Sequence, residues 1–349
     1  MSTSEDQKAL EAAFKQLGKL GIRVQKLGDQ SYKAIEVIPT GSLGLDIALG
    51  VGGYPRGRII EVYGHEMSGK STLTLIGMGI AQKLGGTVAL IDAENSFDPS
   101  WARTLGVTAE DVIVTQPDYG EQAFEVIDKL AASNAVDLIV VDSTAALVPK
   151  AEFEGSYDDK SMALQARMLS TGLRKLVPVI GKSKACVIMI NQIRTEVGKM
   201  FGNPNITPGG KALKFYSSVR MEVQKSGKKE DTYKVNDVIV GHKVRVKIQK
   251  NKVAAPFRSC EFDLYFDRGI DIASELPKLA VDTGLVQVSG RTYTYGEYKW
   301  VGYDNYDTGM KELSPEALIS LREQILNVDK ASHTSELPES PEDDNTADE

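Results

Sequence analysis

The chain has 349 residues, of which 42% are hydrophobic and 26% charged, and its formal net charge is −7. This composition excludes a fibrous or globally disordered protein, and no apolar run approaches the roughly 20 residues that a membrane span needs. The N-terminal sequence MSTSEDQKAL contains no signal-peptide core, so we expect a cytoplasmic protein. Cys186 and Cys260 lack the spacing of a zinc site or a disulfide framework, and we expect both to be reduced.

Residues 1–34 begin with apolar residues at helical spacing, namely Leu10, Ala13, Phe14, Leu17 and Leu20. Gly21 ends this pattern, and the sequence allows a short strand at 22–24. We interpret the segment as a helix and strand for oligomerisation. The pattern alone leaves open whether it caps its own core or docks on a neighbour.

Residues 35–270 alternate strand-like runs with helical segments, a pattern typical of an α/β protein with a mostly parallel sheet wrapped by helices. The predicted strands are 59–63, 87–92, 112–115, 137–142 and 185–191, and the predicted helices are 71–84, 120–133 and 162–176. Later runs at 218–224, 243–249 and 261–266 have no long helices between them. They predict antiparallel strands added at one edge of the sheet.

Residues 271–330 predict a small α/β domain with a helix at 273–283, a Tyr-rich strand pair around 291–301 and a final helix at 315–327. After Lys330 the chain carries seven acids and no Lys or Arg, so residues 331–349 are predicted to be a disordered acidic tail. The preceding residues hold the other 41 acids and all 41 bases. The net charge therefore does not exclude binding to nucleic acid.

The sequence GHEMSGKST at 64–72 lies between a predicted strand and a predicted helix and matches the P-loop pattern Gly-x4-Gly-Lys-Ser. In this pattern the glycines let backbone N–H groups close around phosphates, Lys70 reaches the β and γ oxygens, and Ser71 binds Mg²⁺. We therefore predict ATP and Mg²⁺ as cofactors. The predicted binding residues are Gly64, His65, Glu66, Met67, Ser68, Gly69, Lys70, Ser71 and Thr72.

Three neighbouring strands deliver polar residues to the edge where open α/β sheets bind ligands. Asp142 ends one apolar strand and is the predicted carboxylate of the magnesium shell, acting through a water molecule. Glu94 follows another strand and is either the base that activates the attacking water or a helix N-cap. Gln192 is either an amide near the γ-phosphate or a solvated strand end.

With these residues in place, the chain resembles the RecA family of DNA strand-exchange recombinases over roughly residues 36–330. The resemblance implies a RecA-type P-loop ATPase core in which Glu94 activates the hydrolytic water and Gln192 senses the γ-phosphate and couples it to the following loop. The matching stretches are TGSLGLDIALGVGGYPRGRIIEVYG (40–64), LIDAENSFDPSWARTLGV (90–107), QPDYGEQAFE (116–125), VDLIVVDSTAALVPKAEFEG (136–155), INQIR (190–194), MFGNPNITPGGKALKFYSSVR (200–220) and KNKVAAPF (250–257).

The resemblance also assigns residues to the adenine of ATP and to the ATP bound by the neighbouring subunit. It places Asp98, Trp101 and Phe266 at the adenine, with Trp101 standing where the family usually has a tyrosine. Lys250 and Lys252 match residues that reach ATP bound by the adjacent subunit of a helical filament. An isolated monomer would then be a poor ATPase, because these cations stabilise the transition state only after assembly.

Two segments, about 154–163 and 194–210, resemble the family's mobile DNA-binding loops, and their irregular sequence is typical of flexible or functional loops. The resemblance implies that single-stranded DNA is held through its backbone, with Met200 and Phe201 wedged between bases. Arg245 and Lys247 resemble a secondary site for homologous duplex DNA. The implied phosphate contacts are Arg167, Ser170, Arg174, Arg194, Gly209 and Gly210.

Besides Trp101, the chain departs from the family pattern in the P-loop, in the DNA-binding segments and at the N-terminus. His65 and Met67 stand where bacterial relatives usually have Pro and Ser, which leaves the hydrolysis rate open. The first DNA loop is unusually acidic and Gln224 replaces a usual arginine, so duplex capture is weakened or differently distributed. The short, atypical N-terminus raises the hypothesis of a viral or otherwise divergent homologue.

Together, the residues and the resemblance predict an ATP-dependent DNA recombinase that forms helical filaments on single-stranded DNA and exchanges strands in recombinational repair. A corollary of the resemblance is stimulation of self-cleavage of a LexA-like repressor in the SOS response. One alternative is a ring-forming DNA motor or helicase of the same core fold, against which the MFGNP loop and the small C-terminal domain argue. Another is a non-catalytic accessory protein, against which the intact Lys70, Ser71, Glu94 and Asp142 argue.

Overall fold

A computed structural model of the chain describes residues 4–21, 24, 35–155, 162–195 and 205–334. The chain divides into two units, residues 1–35 and residues 36–349. In the first unit the predicted helix is present as α1 (Ser4–Lys19), and Gly21 follows it in a left-handed conformation with φ 73°. Of the segment at 22–24, only Val24 is described, and it lies in no helix or strand.

The second unit contains the remaining helices and strands. The helices are α2 (Leu43–Leu49), α3 (Lys70–Lys83), α4 (Pro99–Thr104), α5 (Gly120–Ala132), α6 (Lys150–Phe153), α7 (Met162–Ile180), α8 (Ala212–Tyr216), α9 (Leu276–Asp282), α10 (Tyr303–Lys311) and α11 (Pro315–Thr334). The strands are β1 (Val37–Ile38), β2 (Tyr54–Pro55), β3 (Ile59–Gly64), β4 (Val88–Asp92), β5 (Ile113–Thr115), β6 (Leu138–Asp142), β7 (Cys186–Gln192), β8 (Arg194–Thr195), β9 (Asn205–Ile206), β10 (Val219–Lys225), β11 (Thr232–Val235), β12 (Val238–Asn251), β13 (Ser259–Tyr265), β14 (Gly269–Ile270), β15 (Gln287–Ser289), β16 (Thr292–Tyr295) and β17 (Tyr298–Val301).

Within the described residues, ten strands form one central sheet in the order β14-β13-β12-β10-β3-β7-β6-β4-β5, with β11 paired to β12. The strands from β10 to β5 run parallel to one another. Strands β11 to β14 are added antiparallel beyond β10. The predicted α/β sheet with antiparallel strands at one edge is confirmed, but the prediction was wrong for the run at 218–224, because β10 extends the parallel part of the sheet by pairing with β3.

The central parallel strands are nearly continuous apolar runs because both faces of the sheet are covered. Side chains alternate between faces: Val140 and Ile188 join the core beneath α3, while Ile139 and Val187 join the core beneath α5 and α7. Parallel strands place their carboxyl ends at the same edge. The ends of β3, β4, β6 and β7 therefore meet there.

The C-terminal part has its own core, built around Tyr306, Met310, Leu321 and Ile325, which also includes Leu43 of α2. The sequence predicted one strand pair here, whereas the structure has the three-stranded sheet β15-β16-β17. The sequence analysis also missed α10, because Asp, Asn, Gly and Thr give YDNYDTGMK little helix propensity. Burial of two side chains of α10 compensates for this weak propensity.

Two predicted helix ends were also wrong. Helix α7 continues through Pro178 to Ile180 rather than ending at 176, although proline removes one backbone hydrogen bond from its last turn. Helix α11 continues to Thr334 rather than ending at 327. Among the described helices, none combines the length and apolar character required to cross a membrane.

Candidate nucleotide-binding site

The P-loop connects the end of β3 to the start of α3. A Cβ on Gly64 would overlap the Val223 carbonyl oxygen of β10, and Gly69 has a φ of 96°, a conformation that side chains rarely adopt. Glycine is therefore required at both fixed positions of the pattern. His65, Glu66 and Met67 lie exposed on the loop between them, and Thr72 is half-buried in the first turn of α3.

The ammonium group of Lys70 lies inside this loop. Its Nζ donates hydrogen bonds to the carbonyl oxygens of Gly64 (3.1 Å) and His65 (2.7 Å). Burial lowers the pKa of Lys70 from its ordinary value, and the nearby carboxylates of Asp142 and Glu94 oppose that effect. The hydroxyl of Ser68 is buried and has no hydrogen-bond partner in the described part of the chain. A buried cation and an unpaired donor in a glycine-lined loop fit an anionic phosphate.

Ser71 and Asp142 lie side by side at the base of the loop. The Ser71 hydroxyl donates to Oδ2 of Asp142 over 2.6 Å. Burial raises the pKa of Asp142, and the Glu94 charge adds to this effect, while the bond from Ser71 opposes it. A hydroxyl beside a carboxylate is an oxygen donor set of the kind that Mg²⁺ prefers, so these residues fit the predicted ion.

Glu94 lies two residues beyond the end of β4. Its carboxylate accepts hydrogen bonds from the Ser143 hydroxyl and from Nε2 of Gln192, the latter over 3.2 Å. The alternative reading of Glu94 as a helix N-cap is wrong, because Asp98 caps α4 by accepting from the backbone N–H groups of Ser100 and Trp101.

Asp92 holds the loop that carries Glu94, a role that the sequence analysis missed. Its carboxylate accepts from the N–H groups of Ser96 and Phe97 and from the side-chain amide of Gln116. A strand-end aspartate followed by short polar residues was the available signal. The P-loop, Asp142, Glu94 and Gln192 are thus brought together from four strands.

The residues predicted at the adenine lie on different elements. Asp98 caps α4, and Trp101 is partly buried against the core beneath α3. Phe266 follows β13, is 44% exposed, and stands edge-on to His242 with 5.6 Å between ring centroids. On the same strand, a Cδ2 atom of Leu264 lies 2.8 Å from where a Cβ of Gly69 would be. The end of β13, which Phe266 follows, therefore lies against the P-loop.

A buried polar network begins next to Gln192. Asn191 donates from Nδ2 to Glu61 (3.1 Å) and to the carbonyl oxygen of Pro208 (3.4 Å). Glu61 is fully buried and forms an ion pair with Arg220, whose guanidinium lies 4.5 Å from the ring centre of Tyr63. The network connects β3, β7 and β10 to the far end of the second predicted DNA loop.

Lys250 is bound elsewhere in the same chain. Its Nζ donates to the carbonyl oxygens of Lys214 (2.7 Å) and Phe215 (3.0 Å) near the C-terminal end of α8. Burial lowers the pKa of Lys250 to about 8, and the Lys252 charge contributes. The backbone N–H of Lys252 donates to Ser218. The structure therefore does not bring these two lysines to the P-loop of their own chain.

Five of the six predicted phosphate contacts lie on or beside α7. Arg167 and Arg174 are exposed on this helix and Ser170 is half-buried. Gly209 and Gly210 have φ values of 82° and 72°, and a Cβ on Gly209 would overlap Leu169 of α7. Arg194 is exposed in β8, which pairs with β9. Met200, Phe201 and most of the first loop lie outside the described residues.

The predicted secondary site lies on the exposed face of β12. Arg245 and Lys247 are both exposed there and alternate with buried valines. Across the sheet Arg245 pairs with Gln224 and Glu261, and Lys247 pairs with Glu222. The Arg245 guanidinium lies 3.9 Å from the Glu261 carboxylate. These acidic neighbours, which the sequence analysis missed, reduce the positive charge of this face.

Comparison with known proteins shows similarity along most of the chain. The profile of the RecA N-terminal domain matches residues 6–271. A protein RecA of Thermus thermophilus is 50% identical over 319 residues, which cover 91% of this chain and 92% of that protein. The protein RecA of Geobacter metallireducens is 49% identical over 329 residues, covering 93% and 95%. The crystal structure of the RadB recombinase aligns with 24% identity and a TM-score of 0.49, covering 67% of this chain and 98% of that one.

Proposed function

The chain belongs to the RecA family and is a recombinase with DNA-dependent ATPase activity, and we propose that the residues meeting at the carboxyl edge of its central sheet carry out the hydrolysis. The observation that carries this proposal is the convergence of Lys70, Ser71, Asp142, Glu94 and Gln192 from four parallel strands. The family binds nucleotide, DNA and further copies of itself. The roles of individual residues below are our assignments.

We assign the triphosphate of ATP to the loop 64–72. The Lys70 ammonium exchanges its backbone carbonyl partners for phosphate oxygens, and the N–H groups at the start of α3 bind the same oxygens. Ser71 and, through water, Asp142 would hold Mg²⁺, which neutralises phosphate charge when bound. His65 lies exposed on the loop, and we assign it the role of a passive spacer.

Glu94 is assigned the role of orienting and deprotonating the attacking water. Ser143 and Gln192 both donate to its carboxylate, which fixes the direction of the side chain. A base held by two donors is pre-organised, so little reorganisation is needed during the reaction. Gln192 contacts the base and is adjacent to Asn191, so a shift at the γ-phosphate can reach Pro208 through two side chains.

For DNA we assign α7 and Gly209–Gly210 to the backbone of single-stranded DNA and the face of Arg245 and Lys247 to homologous duplex. Contacts with phosphates suit sequence-independent binding, so base pairing between the strands supplies the specificity. Lys250 and Lys252 act on ATP in the adjacent subunit of a filament, and residues 1–34 join the subunits. We place the protein in the cytoplasm, where filaments serve recombinational repair and stimulate a LexA-like repressor.

The test combines three measurements on the full chain: ATP hydrolysis with and without single-stranded DNA, joint-molecule formation between circular single strands and linear duplex, and electron micrographs of the same samples. We expect DNA-stimulated hydrolysis by filaments that form joint molecules. Unwinding of tailed duplex without joint molecules would instead support the ring-forming motor. Absence of both DNA stimulation and filaments would support the accessory protein.

A further inference from the structure

The loop that carries Glu94 is attached to its surroundings on both sides of that residue. Before Glu94, the backbone N–H of Ala93 donates to the carbonyl oxygen of Asp142 at the end of β6 over 2.9 Å. After it, the backbone N–H groups of residues 96 and 97 donate to the Asp92 carboxylate over 3.0 Å and 3.2 Å. The backbone of Glu94 is thus fixed on both sides, and one of the two attachments depends on the carboxylate of Asp92.

The Asp92 carboxylate is shared between this loop and a side chain from another strand. Asp92 is the last residue of β4 and is 2% exposed. Its Oδ1 accepts from Ser96, whereas its Oδ2 accepts from Phe97 and from Nε2 of Gln116, the latter over 3.2 Å. Hydrogen bonds to a charged group are strong, and losing one of them at a buried carboxylate leaves that charge poorly satisfied. The orientation of Asp92 therefore depends on Gln116 as well as on the loop.

Gln116 belongs to β5, the last strand of the described sheet. It directly follows this strand, and the parallel register pairs Thr115 of β5 with Ile91 of β4. The next residues along the two strands, Gln116 and Asp92, are therefore neighbours. Gln116 is exposed, so its replacement opens no cavity and removes chiefly the hydrogen bond to Asp92.

The charge of Asp92 also acts on the site itself. Burial raises the pKa of Asp142, and the charges of Glu94 and Asp92 raise it further. Carboxylates that repel one another keep a fixed arrangement only while hydrogen-bond donors hold each of them. In the described part of the chain, Gln116 is the one side chain that donates to Asp92.

We propose that Gln116 is a positioning residue for ATP hydrolysis, whose amide holds the Asp92 carboxylate and, through it, the loop that presents Glu94 to the attacking water. The proposal rests on the assignment of Glu94 as the base. Gln116 acts through Asp92 rather than on the nucleotide. It extends the site from four strands of the sheet to a fifth, β5.

The first test measures kcat and KM for DNA-stimulated ATP hydrolysis by the full chain. Gln116→Leu keeps a similar volume but cannot donate. We expect its kcat to fall about three- to tenfold, the range for the loss of one hydrogen bond. KM for ATP stays unchanged, because Lys70 and Ser71 bind the triphosphate without contacting Asp92. Gln287→Leu, at an exposed position of β15, is the matched control and keeps the wild-type values.

Gln116→Glu adds a pH profile, which a merely structural role would not change. Glutamate has the shape of glutamine, but in its ionised form it cannot donate and repels Asp92. A neighbouring carboxylate raises the pKa of such a glutamate, and the protonated form can donate again. We therefore expect kcat relative to the wild type to rise roughly threefold or more between about pH 8 and pH 5.5. The same ratio stays constant for Gln116→Leu and for Gln287→Glu.

The pH profile also separates positioning from misfolding, since a misfolded fraction lowers kcat at every pH. A kcat of Gln116→Leu equal to that of Gln287→Leu would overturn the proposal. So would a ratio for Gln116→Glu that does not change with pH. Glu94→Gln is assayed beside these variants: if it is inactive while Gln116→Leu is fully active, only the role of Gln116 falls. If Glu94→Gln turns over at the wild-type rate, the assigned base is wrong and this proposal falls with it.

Discussion

The side-chain amide of Gln192 donates a hydrogen bond to the Glu94 carboxylate, with 3.2 Å between Nε2 and Oε1. Gln192 is the last residue of β7 and Glu94 follows β4, and these two strands are separated in the sheet by β6. The hydrogen bond therefore spans the carboxyl end of β6. It joins Glu94, the assigned catalytic base, to Gln192. Gln192 is bound to Asn191, whose side chain reaches Pro208.

Glu94→Gln is expected to abolish hydrolysis while leaving assembly intact. Glutamine keeps the shape and can still accept from Ser143, but it cannot take a proton from water. We expect DNA-stimulated turnover to fall by roughly 10²-fold or more. ATP binding and filaments in micrographs persist. Glu125→Gln, a change on the exposed side of α5, serves as the matched control and keeps full activity. Turnover within threefold of the control would remove Glu94 from the chemistry.

Lys250→Met is expected to separate nucleotide binding from hydrolysis. Lys250 is bound to the end of α8 in its own chain and must leave those carbonyl oxygens to reach a neighbour's ATP. We expect nucleotide affinity without DNA to be unchanged and DNA-stimulated hydrolysis to fall by about 10²-fold. Lys299→Met, on the exposed strand β17, is the control.

Mixed filaments decide whether Lys250 acts between subunits. Lys250→Met subunits keep Glu94, and Glu94→Gln subunits keep Lys250, so an interface between the two contains one complete site. We expect the mixture to recover hydrolysis that neither variant shows alone. A mixture as inactive as its components would place Lys250 in its own chain's site.

Glu61→Gln is expected to destabilise the protein by about 3 kcal/mol, because it leaves the buried Arg220 charge unpaired. The matched control is Glu110→Gln, which breaks the exposed pair between Arg103 and Glu110 and should not change stability measurably. Urea unfolding midpoints of both variants and the wild type check this. Equal midpoints for the two variants would show that the buried pair is no stronger than the exposed one.

Stability should fall as pH rises through the range in which Glu275 ionises. Burial raises the pKa of Glu275 from 4.5 to about 7, and the Ser42 and Gly44 hydrogen bonds oppose this only in part. Since the folded pKa is the higher one, this contribution is complete below about pH 4.5 and is lost by about pH 7. Asp46, whose pKa burial also raises to about 7, acts in the same direction.

Glu275→Gln isolates this effect because glutamine cannot ionise. Between pH 5 and pH 8 we expect the variant to gain on the order of 1–3 kcal/mol relative to the wild type, measured from urea midpoints. Any fixed cost of the substitution cancels in this comparison. Glu312→Gln, at an exposed position, should follow the wild type. Parallel pH profiles for Glu275→Gln and the wild type would refute the prediction.

The sequence identified the residues that meet at the carboxyl edge of the sheet because the signals for them are local. The P-loop is one short segment of the chain. The apolar runs that lead to Asp142 and Asn191 indicate parallel strands whose carboxyl ends lie at the same edge of the sheet. Contacts between distant segments gave no such signal. In the sequence Glu61 is a single acid in an apolar strand. Only the structure shows that it contacts Arg220 and Asn191. Similarly, nothing near His242 in the sequence indicates that its ring packs edge-on against Phe266.

Leu43 and Ile325 pack in one hydrophobic cluster, although almost the whole chain lies between them. Helix α2 can therefore reach its final packing only after α11 has been synthesised, whereas β3 has both of its sheet partners once β10 has been synthesised. During translation, the apolar surface of α2 therefore stays exposed until α11 has been synthesised. A ribosome that stalls before residue 325 would leave this surface exposed, so truncated chains should depend on chaperones more strongly than the complete protein.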